Sequence, residues 1–286
     1  MKKRAYLYNL INIIVLLLAV FSFCINYCVQ SVFNKSQIVY VLVIGITVVI
    51  VHFFKAIRLY FALYESNIAF SKYLKIYCKV TPISMLYPFK IGEFFRMYCY
   101  GVQTGNVLKG IVTVILDRFM DTIALLTLIL LLFVIYGGVI TTLVYVLLGF
   151  TAAAVIVFWI FPGSHKYWIK YLLKANATPR KIKAIKFLDA LNYVYDEVAS
   201  VTKGRGIILY ILSLIAWAVE IGSVVILHML KGDDNNLSMK ISKYLSSALS
   251  STQSEELKQF IFISVILMMF MYVLVKLIEL ALKERE

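Results

Sequence analysis

Apolar residues fill this chain in long runs, separated by short polar stretches. A helix needs about 20 residues, at 1.5 Å rise each, to cross the ~30 Å hydrocarbon core of a bilayer. Six runs come near or exceed that length, at residues 7–29, 38–57, 111–136, 139–161, 206–230 and 260–282. Residues 67–105 are apolar enough to enter a membrane but too interrupted to cross it simply. They hold Pro82, Pro88, Gly92, Gly101 and Gly105 together with Lys72, Lys75, Lys79, Lys90 and Arg96. Irregular backbone at membrane depth survives only where it is buried in protein or lines a water-filled cavity. The pattern therefore predicts an all-α polytopic integral membrane protein, with about six full transmembrane helices plus a re-entrant helical hairpin near 67–105. Two short full spans over 67–105 would satisfy the same crossing count.

Charge placement sets the expected orientation. Lys2, Lys3 and Arg4 precede the first run. Residues 163–205 carry Lys166, Lys170, Lys174, Arg180, Lys181, Lys183, Lys186, Lys203 and Arg205 against Asp189, Asp196 and Glu197. The excess of Lys and Arg on cytoplasmic loops puts both regions inside. Lys55 and Arg58 then mark the cytoplasmic boundary of the second span. Both termini are expected in the cytoplasm of a multi-pass protein of the cell inner (cytoplasmic) membrane. Within 163–205, apolar residues at helical spacing predict one or two amphipathic helices whose lysines face water or anionic headgroups. Residues 231–259 are close to neutral and Ser-rich, and read as an extracytoplasmic loop with an amphipathic surface helix at 238–250.

Composition narrows the class. The chain is 286 residues long, 62% hydrophobic and 15% charged, with a mean hydropathy of +0.87. Soluble domains are about half apolar, so a water-soluble core is excluded and the chain reads as one membrane domain. The net charge of +14 belongs to segments flanking apolar runs, which points to lipid headgroups and away from nucleic acid. Four Cys and three His are scattered without metal-ligand spacing, and no cofactor is expected.

The chemistry lies in two segments. In the first, Pro88 suits the first turn of a helix, and Gly92 lets a backbone or a headgroup approach closely. A helix starting there at membrane depth presents free N–H groups and its positive end to an anion, and Lys90 and Arg96 add full charge. Glu93 lies three residues before Arg96, within pairing reach. In the second segment, Asp117 and Asp121 share a helix face one turn apart, with Arg118 on the adjoining face. Each charge at hydrocarbon depth costs on the order of 2.5–3.5 kcal/mol, so partners are required. Those predicted are Arg96 for Asp117 or Asp121 and Glu93 for Arg118, with Glu220 as a further candidate. Two compatible readings follow: a salt-bridge network fixing the hairpin, and a charged cavity for a lipid headgroup or ion. Guanidinium grips phosphate bidentately, which favours Arg96 or Arg118 over Lys90.

Pro88-Phe-Lys-Ile-Gly-Glu93-x-x-Arg96, followed after about twenty residues by Asp117-Arg118-x-x-Asp121, resembles the membrane domain of lysylphosphatidylglycerol synthase/flippase proteins. That family reads P-x-[RK]-x-G-[ED]-x-x-R and then [ED]-R-x-x-D. The basic segment ahead of Trp217-x-x-Glu220 is also similar. The resemblance implies a flippase-like fold with re-entrant helices and a cavity for anionic lipid. Larger members carry a soluble aminoacyl-transferase domain with no counterpart in these 286 residues, so lipid aminoacylation is not expected. One departure stands out. The family's second element, P-x-x-x-G-G-x-G-x-x-E, falls on residues 231–258, which hold no Pro and only Gly232.

The expected function is therefore binding and translocation of an anionic phospholipid or a polyprenyl-phosphate-linked glycan in envelope biogenesis. The expected lipid- or anion-binding residues are Lys90, Gly92, Glu93, Arg96, Asp117, Arg118, Asp121 and Glu220. The alternative is a non-transporting subunit that holds a lipid-linked substrate or docks an envelope-biosynthesis enzyme such as a glycosyltransferase. An enzyme acting on the lipid is the remaining reading. The sequence leaves oligomeric state open.

Overall fold

The structure is a computed structural model that describes residues 2–25, 38–66, 68–86, 91–136, 142–174, 178–231, 237–249 and 254–283. Among them it contains ten α-helices and no strand: α1 (Lys2–Phe23), α2 (Ile38–Ala62), α3 (Phe70–Leu86), α4 (Ile91–Thr104), α5 (Val107–Tyr136), α6 (Thr142–Lys174), α7 (Pro179–Thr202), α8 (Gly206–Lys231), α9 (Leu237–Leu249) and α10 (Glu255–Lys283). Helices α2, α5, α6, α8 and α10 are long and apolar enough to cross a bilayer, and α1 contributes a shorter apolar stretch, Leu10–Phe23. The protein is an all-α polytopic membrane protein.

The distribution of side chains fits lipid as solvent. Val155, Ile156, Val157, Trp159 and Ile160 of α6 are exposed, as are Ile46, Val49 and Phe53 of α2, while Arg58, Glu93, Arg96, Asp117 and Glu220 are buried. Exposed apolar surface on this scale marks a membrane-facing protein, and ionisable groups inside such a protein turn towards each other.

Helix α2 packs along α8, α4 on α5, α10 on α3 and α2, and α5 on α8. The α4–α5 contact is a glycine crossing. A methyl group on Gly110 would meet the Gly101 backbone, with its Cα at 2.7 Å, and the Met97 carbonyl at 2.7 Å. Gly105, with φ of 69°, makes the turn between the two helices, in the left-handed region that glycine tolerates best. Gly92 plays the matching part on the other side of α4. A methyl group there would meet Ser84 Cα at 2.5 Å and the Ile83 carbonyl at 2.6 Å. The backbone of α3 thus occupies the space at Gly92 that the sequence left open to a backbone or a headgroup.

Several element bounds differ from the sequence pattern. Helix α2 continues to Ala62 rather than stopping near residue 57, because Leu59, Ala62 and Leu63 beyond Arg58 are buried apolar residues. Region 67–105 forms two helices, with Pro82 accommodated inside α3. Pro88 and Lys90 lie outside the described residues. Helix α6 runs unbroken through Pro162 to Lys174, about 50 Å at 1.5 Å per residue. Thr178 caps α7, accepting from the Lys181 amide, with Pro179 at its first position. The C-terminal half of α7 is pinned to the α4–α5 turn by Asn106 Nδ2, which donates to Tyr193 Oη at 3.2 Å and Glu197 Oε1 at 3.4 Å. Helix α9 forms where an amphipathic helix was expected and buries Ile241, Tyr244, Leu245 and Ser247 along one face. Its apolar face packs on α8, α5 and α10, which removes that face from solvent.

Gly110→Ala is expected to disrupt the α4–α5 crossing. Overpacking of this kind costs about 1–3 kcal/mol, and the obstructing atoms here are backbone. In detergent the variant should melt several degrees below wild type or lose its monodisperse elution. Gly149→Ala, where a methyl group meets nothing within 4 Å, should leave both unchanged.

Candidate functional site

Four helices bring charged side chains to one place. Helix α2 supplies Lys55 and Arg58, three residues apart. Helix α4 supplies Glu93 and Arg96, and α5 supplies Asp117, Arg118 and Asp121. Helix α8 supplies Ser213, Trp217 and Glu220, at i, i+4 and i+7 of one face. The packing of α2 on α8 and of α4 on α5 places these faces opposite one another.

Arg58 sits at the centre. Its Nε donates to Asp117 Oδ1 at 2.7 Å, and its Nη1 donates to Asp121 Oδ1 at 2.7 Å and to Ser213 Oγ at 2.6 Å. The other oxygen of Asp117 accepts from Arg96 Nη2 at 2.9 Å. Arg96 Nη1 lies 3.5 Å from Glu93 Oε2, and Glu93 Oε1 accepts from Arg118 Nη2. Read along the contacts, the sign of charge alternates: Arg118, Glu93, Arg96, Asp117, Arg58, Asp121.

A second, shorter chain abuts the first. Lys55 Nζ donates to Glu220 Oε1 at 2.6 Å and lies 5.4 Å from the centroid of the Trp217 ring. Glu220 Oε2 accepts from Tyr244 Oη of α9 at 3.2 Å. Burial, and after it the Glu220 carboxylate, push the Tyr244 phenol well above its ordinary range, so it remains a donor. Near the first chain, His52 Nδ1 is 3.1 Å from Tyr77 Oη. His52 Nε2 and Arg96 Nε have no hydrogen-bond partner among the described residues.

The two chains together hold Lys55, Arg58, Arg96 and Arg118 against Glu93, Asp117, Asp121 and Glu220. Each cation has a carboxylate and the set is neutral. Charges this deep must be paired in this way, because an uncompensated partner costs several kcal/mol. Exposure divides the arginines: the Arg58 side chain is 3% exposed and that of Arg96 7%, whereas that of Arg118 is 47% exposed.

Of the residues singled out from the sequence, Glu93, Arg96, Asp117, Arg118 and Asp121 come together. The pairs Arg96–Asp117 and Arg118–Glu93 form as expected. Asp121 pairs with Arg58 and not with Arg96, because Arg96 already bridges Asp117 and Glu93. Glu220 joins Lys55 in the neighbouring chain, and Gly92 faces α3. Lys90 lies outside the described residues. Sequence reasoning missed Arg58, Lys55, Ser213 and Tyr244. One signal was available for Arg58: the run Leu59-Tyr60-Phe61-Ala62-Leu63 after it keeps the helix apolar, which a boundary arginine does not require.

The sequence model of one protein family, described as Lysylphosphatidylglycerol synthase TM region, matches residues 9–254. No curated protein and no solved structure matches the chain.

Arg58→Ala strands Asp121 and half of Asp117, and removing one member of a buried pair costs about 3–5 kcal/mol. The variant should fail to accumulate as folded protein, or melt far below wild type in nanodiscs. Arg58→Met combined with Asp121→Leu should recover part of that loss, since apolar side chains of similar volume replace a buried pair at little cost. A double variant no better than Arg58→Ala would show that the two residues are not coupled.

Proposed function

We propose a lipid-handling function from one premise: the chain belongs to the family of the lysylphosphatidylglycerol synthase transmembrane region. Membership relates it to lipid handling or envelope biogenesis. The finer reading is that it binds an anionic phospholipid or a polyprenyl-phosphate-linked glycan within the bilayer and carries its headgroup between leaflets.

The observation that supports this reading is the alternating chain of ion pairs through α2, α4 and α5. A bundle that only had to span the membrane would fill these positions with apolar residues, at lower insertion cost. Alternating charges can re-pair when an anion arrives. A carboxylate loosened from one guanidinium can turn towards the next, so the added negative charge is shared along the chain instead of falling on one residue. Helices α3 and α4 act in this reading as the re-entrant arm that carries Glu93 and Arg96 to the site. In this reading the Lys and Arg excess from the end of α6 through α7 faces the cytoplasm, and both termini share that side if α1 crosses as well.

A second reading has support in the same contacts. Every buried cation of the network already has a carboxylate, which favours a static subunit that holds a lipid-linked substrate beside an envelope enzyme. In both readings the role is non-enzymatic. The carboxylates are engaged by guanidinium or ammonium groups, which suits pairing better than proton abstraction.

Proteoliposomes separate the two. If the protein transports, it should accelerate exposure of a fluorescent phosphatidylglycerol to an external quencher above empty vesicles. Asp117→Asn should lose most of that acceleration per molecule of folded protein recovered, since it removes the carboxylate shared by Arg58 and Arg96. No acceleration for any anionic phospholipid or polyprenyl-phosphate lipid would remove the transport reading, and mild-detergent purification should then recover a stoichiometric partner. Single cysteines introduced at Lys186 in a cysteine-free background should be labelled by impermeant reagents only after the cells are opened. Labelling of intact cells would reverse the orientation.

A further inference from the structure

We propose that Arg118, on the outward side of α5, is a lateral docking point for the phosphate group of a ligand arriving from the bilayer, with Glu93 of α4 holding the guanidinium in place. The proposal deepens the lipid-handling reading and rests on it for the source of the phosphate.

The three arginines of the network differ in what they have left to offer. Arg58 directs Nε and Nη1 to Asp117, Asp121 and Ser213 and is almost wholly buried. Arg96 directs both Nη atoms to carboxylates and is also buried. Both are shut off from the surface by burial, although Arg96 keeps one donor, Nε, without a hydrogen-bond partner among the described residues. Among the described residues Arg118 donates to Glu93 through Nη2 alone, and its side chain is 47% exposed. A guanidinium carries five N–H donors in a rigid fork. With one nitrogen on Glu93, the rest of the fork can grip two oxygens of one phosphate.

Position adds to the argument. Arg118 is eleven residues into the 30-residue α5, roughly 16 Å along its axis. Ile115, one turn earlier, is exposed, and so is Phe94, beside Glu93 on α4. An arginine half open to an apolar surface at that depth lacks the shelter that Arg58 and Arg96 have. Such side chains reach toward the interface or draw headgroups and water to themselves. A lipid phosphate supplies the missing counter-charge from the membrane side, while Glu93 supplies it from the protein side. Glu93 also touches Arg96, so an anion at Arg118 acts directly on the first link of the buried chain.

Arg118 also balances the charge of Glu93. A balancing role alone is satisfied by any cation, whereas bidentate docking needs the guanidinium. Arg118→Lys therefore separates the two roles.

The test uses the full chain in mild detergent, equilibrated with equal amounts of phosphatidic acid, phosphatidylglycerol and diacylglycerol, with bound lipid read by native mass spectrometry. Wild type is expected to retain the two phosphate lipids over diacylglycerol. Arg118→Lys is expected to lower that retention about ten-fold with an unchanged melting temperature. Equal retention by Arg118→Lys and wild type overturns the proposal and leaves the lipid-handling reading standing, with the headgroup held elsewhere. No preference for phosphate lipids in wild type removes the lipid reading. The docking point then survives only if inorganic phosphate raises the melting temperature of wild type and not of Arg118→Lys, and it falls otherwise. Should Arg118→Lys lose its fold, Phe94→Trp reports on the same surface with the ion pair intact. Headgroup-spin-labelled phosphatidylglycerol should quench the added emission more than spin-labelled diacylglycerol, and equal quenching overturns the proposal.

Discussion

Arg58 between Asp117 and Asp121 is the interaction on which the rest of this bundle depends. In hydrocarbon a charge has no water to turn to, so opposing helices must supply its solvation. One guanidinium ties α2 to α5 at two carboxylates and to α8 through Ser213. The second oxygen of Asp117 then reaches α4 through Arg96. Such geometry is available only if α4 lies very close to α5, and the Gly101–Gly110 crossing provides that approach. Small residues at one level of the α4–α5 pair and charged residues at another are therefore parts of one arrangement. The glycines set the distance that the ion pairs require.

Much of this was legible from residue spacing. The apolar runs give the helical class because nothing else satisfies the backbone in lipid. Asp117 and Asp121, one turn apart on a spanning helix, demand cations, and Arg96 lies on a segment that cannot leave the membrane easily. Those two facts lead to a pair between Arg96 and either Asp117 or Asp121, and Asp117 is the one that Arg96 meets. Arg58 was not legible in the same way. A positive residue near the end of an apolar run has a sufficient explanation at the interface, where Lys and Arg reach headgroups. The burial of Arg58 follows from what α5 and α8 bring to it, which no local pattern reveals. Glu220 illustrates the same limit. Its need for a partner is evident from its depth, but the choice of Lys55 follows from how α2 runs along α8. Helix α6 shows the converse. The predicted span ends at residue 161, yet the helix continues through Pro162 to Lys174, and Phe158 and Phe161 lie against Tyr195 of α7.

The two halves of the charge network are anchored differently. On the α4 side, Glu93 and Arg96 lie on a helix wedged between α3 and α5 through glycine contacts. On the α8 side, Glu220 is held by Lys55 and by the phenol of Tyr244, which reaches in from α9. Helix α9 lies within residues 231–259 and has an amphipathic, Ser-rich sequence. A tyrosine hydroxyl and a buried apolar face are thus the means by which this chain attaches its C-terminal arm to the network.

Neutrality constrains any function placed on this network. Within this network four cations and four carboxylates cancel, so the network itself offers an incoming anion no unmatched positive charge. The anion can either displace a carboxylate from its guanidinium or remain at the edge and share one. Displacement at Arg58 would strand two aspartates with no water to receive them, the costliest outcome in a low-dielectric interior. Sharing at Arg118 strands nothing, because Glu93 keeps both of its arginines and the new anion meets the exposed side of the fork. The path of least cost therefore begins at the end of the chain that faces the bilayer. Further movement inward requires each pair to exchange in turn with its neighbour, so a transport step here would be a relay of ion pairs along α4 and α5 rather than the filling of a preformed positive cavity.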